Sequence, residues 1–315
     1  MSRTALSNVA ALALALALSL GVAQQLTQRA PAPDESGDGV AAPPVPDASG
    51  RTFPVRRYAR VVSASPLADQ VFSELLEPGR VLAVTRYGRE SPLGGWRHAG
   101  ARTLGRLEDL EAVLDLEPDL VVVSGFADPA RVARLRDAGL SVFDVGRMDG
   151  TSALLPAVRR LAALVGEPER GEALATRWLR RFRTVAADVP PATRLRGAYV
   201  GIFGDKLYGG TSGSSYGDVL AAAGVRDVAA EAGLEGWPEY TSEQLLALDP
   251  PVLVVPAGRR EALCRHVGLD ALQACGGEGR IVEVDEALLG DPGLGMLDAA
   301  EAIRDALYGP AQPVP

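Results

Sequence analysis

Two series of short apolar runs alternating with helical patterns, separated by a stretch with no strand signal, constrain this chain more than any other feature. In the first series residues 60–65, 81–85, 120–123 and 141–145 read as strands, with helical patterns over 67–76, 107–116 and 129–138 between them. Pro118 and Gly139 punctuate helix ends where the next strand should begin. Parallel neighbours need a crossover of a dozen or more residues, usually a helix, so this alternation implies a parallel sheet with covering helices. A second series places strands at 198–202, 252–255 and 280–284 and helices at 216–223, 242–248 and 295–307. Residues 151–188, dense in Ala, Leu and Arg and interrupted at Gly166-Glu167-Pro168, read as a long helical segment. The expected fold is α/β: two Rossmann-like lobes with parallel sheets, over 56–150 and 191–315, joined by a long interlobe helix over 151–190. A helical connection limits hinge motion, and a ligand is expected between the lobes, where loops at the carboxyl ends of parallel strands converge.

The N-terminus reads as an export signal over residues 1–23. Arg3 supplies the positive start, an apolar run extends from Ala10 to Val22, and Gly21-Val22-Ala23 offers small residues for cleavage. The run is shorter than the ~20 residues a spanning helix usually needs, with an uncleaved anchor as the alternative. No Cys lies near its end, which argues against a lipid-anchored N-terminus and for a soluble periplasmic protein. Residues 24–55, rich in Pro, Ala, Gly and Asp, read as a disordered linker, and the fold is expected to begin near Arg56. The two cysteines, Cys264 and Cys275, are expected to form a disulfide if exported, two buried thiols being the alternative. A net charge of -8 argues against nucleic acid as a partner.

Other chemistries are tested by motif. Gly213-Ser214-Ser215-Tyr216-Gly217 matches a nucleophile elbow, and Asp249 and His266 follow in the chain order of an α/β hydrolase using Ser215. The elbow requires a strand before the serine, and Gly209-Gly210-Thr211-Ser212 is a poor one. Bare-metal capture needs several convergent ligands, whereas only His98 and His266 occur. No dinucleotide or Walker motif is present. A binding protein without cofactor or catalysis is the economical reading.

The chain resembles the substrate-binding proteins of ABC importers for ferric siderophores, haem and vitamin B12, the group with a helical backbone between its lobes. The pieces that carry the resemblance are Arg60-Val61-Val62-Ser63-Ala64-Ser65-Pro66, Leu110-Glu111 with Leu116-Glu117-Pro118-Asp119-Leu120-Val121, Tyr208-Gly209-Gly210 through Tyr216-Gly217-Asp218-Val219-Leu220, and Ser242-Glu243-Gln244-Leu245-Leu246. Asp69-Gln70 departs from the Thr-Glu often found there. The resemblance implies that Glu111 and Glu243, one per lobe, dock into arginine pockets of the importer's membrane subunits. It also implies that Tyr87 faces the ligand and that Arg106 lies near a further cleft position.

Between Arg80 and Arg106 there are six arginines against one acid, Glu90, in an otherwise acidic chain. Convergent arginines suit the carboxylates of a ferric siderophore or haem, or a phosphate; a neutral corrin would use aromatics. The expected contacts are therefore Arg86, Tyr87 and Arg106 from the first lobe and Tyr208, Tyr216 and Trp237 from the second.

Overall fold

The computed structural model describes residues 42–310, apart from 92–93, 105–109, 126, 278 and 290–292. The expected signal and most of the linker lie outside the described residues. Among these no helix is long and apolar enough to cross a membrane.

The chain enters as a small antiparallel hairpin, β1 (Val45–Pro46) and β2 (Thr52–Phe53), with Val45 opposite Phe53. This corrects the linker boundary at residue 55. The buried Asp47 carboxylate accepts bonds from the Ser49 and Arg51 amides and lies 3.6 Å from Arg136, and Phe53 meets Phe143 edge to face. Two isolated apolar residues and a turn carboxylate give no periodic signal, so only their tertiary partners reveal the hairpin.

The first lobe follows the expected alternation: β3 (Val61–Ala64), α1 (Pro66–Leu75), β4 (Val81–Thr85), α2 (Arg86–Glu90), β5 (Arg102–Leu104), α3 (Leu110–Leu114), β6 (Leu120–Val123), α4 (Pro129–Asp137) and β7 (Val142–Asp144). Its five strands are all parallel, in the order β5-β4-β3-β6-β7. Ser65 and Asp128 cap α1 and α4, each with Pro at the first helical position, which is why those helices start where they do. β6 is buried along its whole length, each side chain contributing about 1.5–3 kcal/mol of burial.

The helical connection is two helices, α5 (Thr151–Leu164) and α6 (Pro168–Asp188), folded against each other. Gly166, at a φ of 81°, ends α5 and Pro168 starts α6. At Gly171 the helices approach so closely that a Cβ would sit 2.1 Å from that of Ala162. The long helical segment expected over 151–190 thus divides at Gly166-Glu167-Pro168, and α6 alone spans the lobes, about 31 Å for its 21 residues. Near its start Arg170 bonds to the carbonyls of Glu74 and Leu75; near its end Arg181 pairs with Glu301 at 3.0 Å and Asp188 pairs with Arg304.

The second lobe has a parallel sheet β11-β8-β13-β14, built from β8 (Leu195–Tyr199), β11 (Val225–Asp227), β13 (Val252–Pro256) and β14 (Arg280–Val284). The strand expected at 198–202 divides after Tyr199: β9 (Gly201–Phe203) turns away to pair antiparallel with β10 (Lys206–Tyr208), which also pairs with β12 (Glu239–Tyr240). Around the sheets lie α7 (Ser215–Ala222), α8 (Val228–Glu231), α9 (Ser242–Leu248), α10 (Arg260–Cys264), α11 (Gln273–Gly276), α12 (Glu286–Leu289) and α13 (Met296–Tyr308). Thr241 and Gln244 form a reciprocal capping box on α9.

One further bond joins the lobes directly and two hold the connecting helices to the second lobe. Gln70 of α1 accepts from the Leu294 amide at 2.8 Å, while the Trp178 indole donates to the Leu294 carbonyl at 2.8 Å. Asp218 of α7 accepts from the Thr151 amide at 2.7 Å, standing in for the cap that Gly150 cannot supply to α5. Removing it should cost about 0.5–2 kcal/mol. Asp218→Ala is expected to lower the thermal midpoint by about 2–4 °C and Asp218→Asn by less; unchanged melting of both would show that this cap carries no stability.

The sulfurs of Cys264 and Cys275 are within bonding distance, and their Cα atoms, 5.5 Å apart, lie in the range of a disulfide. In protein purified from an oxidising compartment, intact-mass analysis after alkylation without reductant is expected to find no modified thiol. Reduction should then lower stability by about 2–4 kcal/mol in denaturant titrations.

Candidate functional site

A cleft of about 870 Å³ opens where the two parallel sheets present their carboxyl ends. From the first lobe it is lined at the end of β3 by Ser65, after β4 by Arg86 and Tyr87, and after β6 by Ser124. From the second lobe come Tyr199 at the end of β8, Phe203 on β9 and Arg259 after β13. Tyr216 of α7 and Glu286 of α12 complete that wall. This is the placement the parallel topology dictates, since the loops that vary freely are those beyond the strand ends.

The turn carrying Arg86 and Tyr87 is held from beneath. Asp69, fully buried in α1, accepts from the Thr85 amide at 3.1 Å and its hydroxyl at 2.5 Å. The Thr85 hydroxyl in turn accepts from the Gly88 amide at 2.9 Å, capping α2. A Cβ at residue 88 would lie 2.2 Å from the Asp69 carboxylate, so only glycine fits. Asp69 and Gln70 thus do separate jobs: one fixes a cleft loop, the other bonds across the lobes. Both are buried polar residues on the first turns of a helix, a signal visible in the sequence only as a departure from a familiar pair.

Tyr87 is exposed, with the Arg86 guanidinium 5.6 Å from its ring centroid. On the opposite wall Tyr199 and Tyr216 stack with centroids 4.0 Å apart. Burial pushes the pKa of the Tyr199 hydroxyl far up, aided by Tyr216 and by the Glu286 charge. Burial also raises that of Tyr216. Both are neutral hydrogen-bonding groups throughout the physiological range.

The arginine-rich segment does not converge on the cleft. Arg80 donates to the Tyr58 carbonyl at 2.8 Å, Arg89 to the carbonyls of His98 and Ala99, and Arg97 to the Ser73 carbonyl at 2.7 Å. Arg102 lines a separate groove of about 720 Å³ that also holds Trp96 and His98. Arg106 lies outside the described residues. Arg86 is the one member that lines the cleft among those described. Guanidiniums satisfying backbone carbonyls are the physical reason: Arg89 caps carbonyls of its own Gly-rich loop, Arg97 one near the end of α1 and Arg80 one ahead of β3.

Of the other expected contacts, Tyr216 lines the cleft and two do not. Tyr208 on β10 packs edge-on to Phe203 at 6.0 Å, and Trp237 sits under the Arg147 guanidinium at 5.5 Å. Tyr199, Phe203, Arg259 and Glu286 went unrecognised in the sequence. Only their positions at or just beyond strand ends could have marked them.

The hydrolase arrangement is not formed. Ser214 caps α7 after a turn, with no strand before it, and Ser215 is the first helical residue. His266 bonds to the Asp205 carbonyl and Ser242, and Asp249 accepts from the Gln273 amide. None of the three acts on another.

Glu111 and Glu243 are both exposed, in the first turns of α3 and α9. Each helix leads into the strand beside the first parallel strand of its own sheet, β6 beside β3 and β13 beside β8. Neither carboxylate enters an ion pair among the described residues.

Comparison with known proteins bears on this architecture. A cobalamin-binding protein of Halobacterium salinarum is 27% identical over 268 residues, covering 83% of this chain and 72% of that protein. The periplasmic haem-binding protein RhuT from Roseiflexus sp. RS-1, in apo form, superposes with a TM-score of 0.67 at 23% identity, over 78% of this chain and 98% of that one. A periplasmic haem-binding protein from Pseudomonas aeruginosa gives 0.68 at 24% identity, over 82% and 95%. These two share the fold. The family model described as periplasmic binding protein matches residues 61–304, from the first strand of the first sheet into the last helix, and the chain belongs to that family.

Proposed function

We propose that this protein captures a large metal-chelate ligand, a ferric siderophore, haem or corrinoid, outside the cytoplasmic membrane and hands it to an ABC importer. The observation that carries the reading is the cleft: about 870 Å³, at the carboxyl ends of two parallel sheets, walled by aromatic rings and bearing one arginine from each lobe. A volume of that size suits a ligand larger than a sugar or an amino acid. The names of the relatives, haem-binding and cobalamin-binding, support the ligand class. The apolar N-terminal run and the bonding-distance cysteines support export.

Arg86 supplies a charge-assisted bond to an anionic group of the ligand, carboxylate or phosphate. Arg86→Ala is expected to weaken binding of the preferred ligand roughly 10-fold or more. Arg102→Ala, in the other groove, is expected to leave it within about 2-fold. Titration of each variant with a ferric hydroxamate siderophore, hemin and cyanocobalamin checks this. Equal effects of the two substitutions would remove Arg86 from the site.

Glu111 and Glu243 are the docking carboxylates, one on each lobe, and fix orientation on the importer more than they add affinity. Glu111→Ala combined with Glu243→Ala is expected to abolish uptake in a transport assay while ligand affinity stays unchanged. Retained transport would refute the docking role.

A further inference from the structure

The chain's only two cysteines, Cys264 and Cys275, close one surface loop of the second lobe, and that loop packs against α9, the helix that carries Glu243. Leu245 of α9 shares a fully buried cluster with Leu269 and Leu272 of the loop. The loop also holds both ends of the helix. At its start the His266 ring lies with Nε2 3.1 Å from the Asp205 carbonyl and Nδ1 3.4 Å from the Ser242 hydroxyl. A carbonyl only accepts, so Nε2 carries the proton and the neutral ring accepts from Ser242 at Nδ1. At the helix end Asp249 takes a φ of 33°, a left-handed conformation uncommon outside glycine. Its carboxylate accepts from the Gln273 amide at 3.1 Å, and its carbonyl from the Gln273 side chain at 2.7 Å.

Between His266 and Gly268 the loop presents Val267, 86% exposed, against 74% for Trp96 and 67% for Phe203. One exposed apolar side chain is ordinary on a protein surface. This one is held in place: His266 before it is bonded through both ring nitrogens, and Gly268 after it takes a φ of 85°, which favours glycine. A Cβ at Gly268 would lie 3.8 Å from that of Ser242, the residue next to Glu243. Val267 and Glu243 are therefore the chain neighbours of residues that touch. A fixed apolar tip beside a fixed carboxylate has the make-up of an interface contact. The apolar group gains by losing water and the carboxylate sets orientation, at a small ordering cost.

Resting on the docking reading above, we infer that the loop closed by Cys264 and Cys275 is part of the docking surface of the second lobe. Val267 contacts an apolar depression on the importer's membrane subunit, beside the cations that receive Glu243. His266 and Gln273 are positioning residues that fix α9 from its two ends, and the cysteines close the loop that carries all three. None of residues 264–275 lines the cleft, so changes in this loop separate docking from ligand capture.

The test measures co-sedimentation of the exported protein with proteoliposomes holding the importer's membrane subunits, alongside titration of the cleft with cyanocobalamin, hemin and a ferric hydroxamate siderophore. Val267→Asp is expected to weaken importer binding about 10-fold or more, and Val267→Leu to keep it within about 2-fold of the wild type. His266→Ala, and Cys264→Ser combined with Cys275→Ser, are each expected to weaken it about 3-fold or more with cleft affinity unchanged. A role in stability alone would lower the melting temperature of these variants and leave their importer affinity where it was. Trp96→Asp, on a side chain of comparable exposure in the separate groove, should stay within about 2-fold. Importer binding by Val267→Asp equal to that of the wild type, or lost equally in Trp96→Asp, would overturn the inference and leave Glu243 as a docking residue. Unchanged importer binding in both His266→Ala and the double cysteine variant would overturn the positioning role. A wild-type protein that does not sediment, or a Glu111→Ala and Glu243→Ala double variant that sediments as the wild type does, would instead sink the docking reading itself.

Discussion

The peptide of Leu294 is gripped from two directions, and the geometry of the cleft depends on it. Its amide hydrogen goes to Gln70 on the first lobe and its carbonyl oxygen takes the indole proton of Trp178 on the spanning helix. A buried backbone group that loses its partner costs about 1–3 kcal/mol, so separating the lobes at this point would orphan two such groups together with their side-chain partners. Asp218 acts likewise on the first turn of α5. α6 is anchored to α1 at one end and to α13 at the other, an arrangement that restrains hinge motion between the two sheets.

The wall chemistry follows from how each loop is supported. On the first lobe the buried Asp69 carboxylate fixes the Thr85 cap, and the turn therefore projects Arg86 and Tyr87 outward. On the second lobe β9 leaves the parallel sheet just after Tyr199 to join β10, and this carries Phe203 to the rim and lets Tyr199 stack on Tyr216. Both walls are preorganised by hydrogen bonds that involve no ligand, which reduces the ordering cost of binding.

A protein that must collect a ligand and give it up needs two separate surfaces. Here the cleft lies at the carboxyl ends of the sheets, while Glu111 and Glu243 ride on helices in equivalent connections of the two lobes. The equivalence is topological: in each lobe the helix feeds the strand next to the first one. For the docking role proposed above, α6 is the element that relates the two carboxylates, since it joins the lobes that carry them.

The parallel sheets were legible because burial on both faces demands uninterrupted apolar runs, and 120–123 and 252–255 carry them. The place of the cleft followed from that topology, whereas Arg86 came from the density of arginines and Tyr87 from the resemblance, and Tyr208 and Trp237, expected beside Tyr216, do not line it. Short edge elements such as β5 and β11 were not legible, since three residues hold no period. Gly166 and Pro168 marked a break between helices, but nothing local stated that α5 and α6 fold back on each other until Gly171 met Ala162. The arginines illustrate the limit most directly. Their density was evident from the sequence, yet where each guanidinium points depends on which backbone carbonyls, in its own loop and in neighbouring elements, the fold brings within reach. Local pattern determined the sheets and the place of the cleft, because burial acts on each segment in turn. Its lining and its width were decided only by the tertiary structure, because they arise from contacts between segments that lie far apart in the chain.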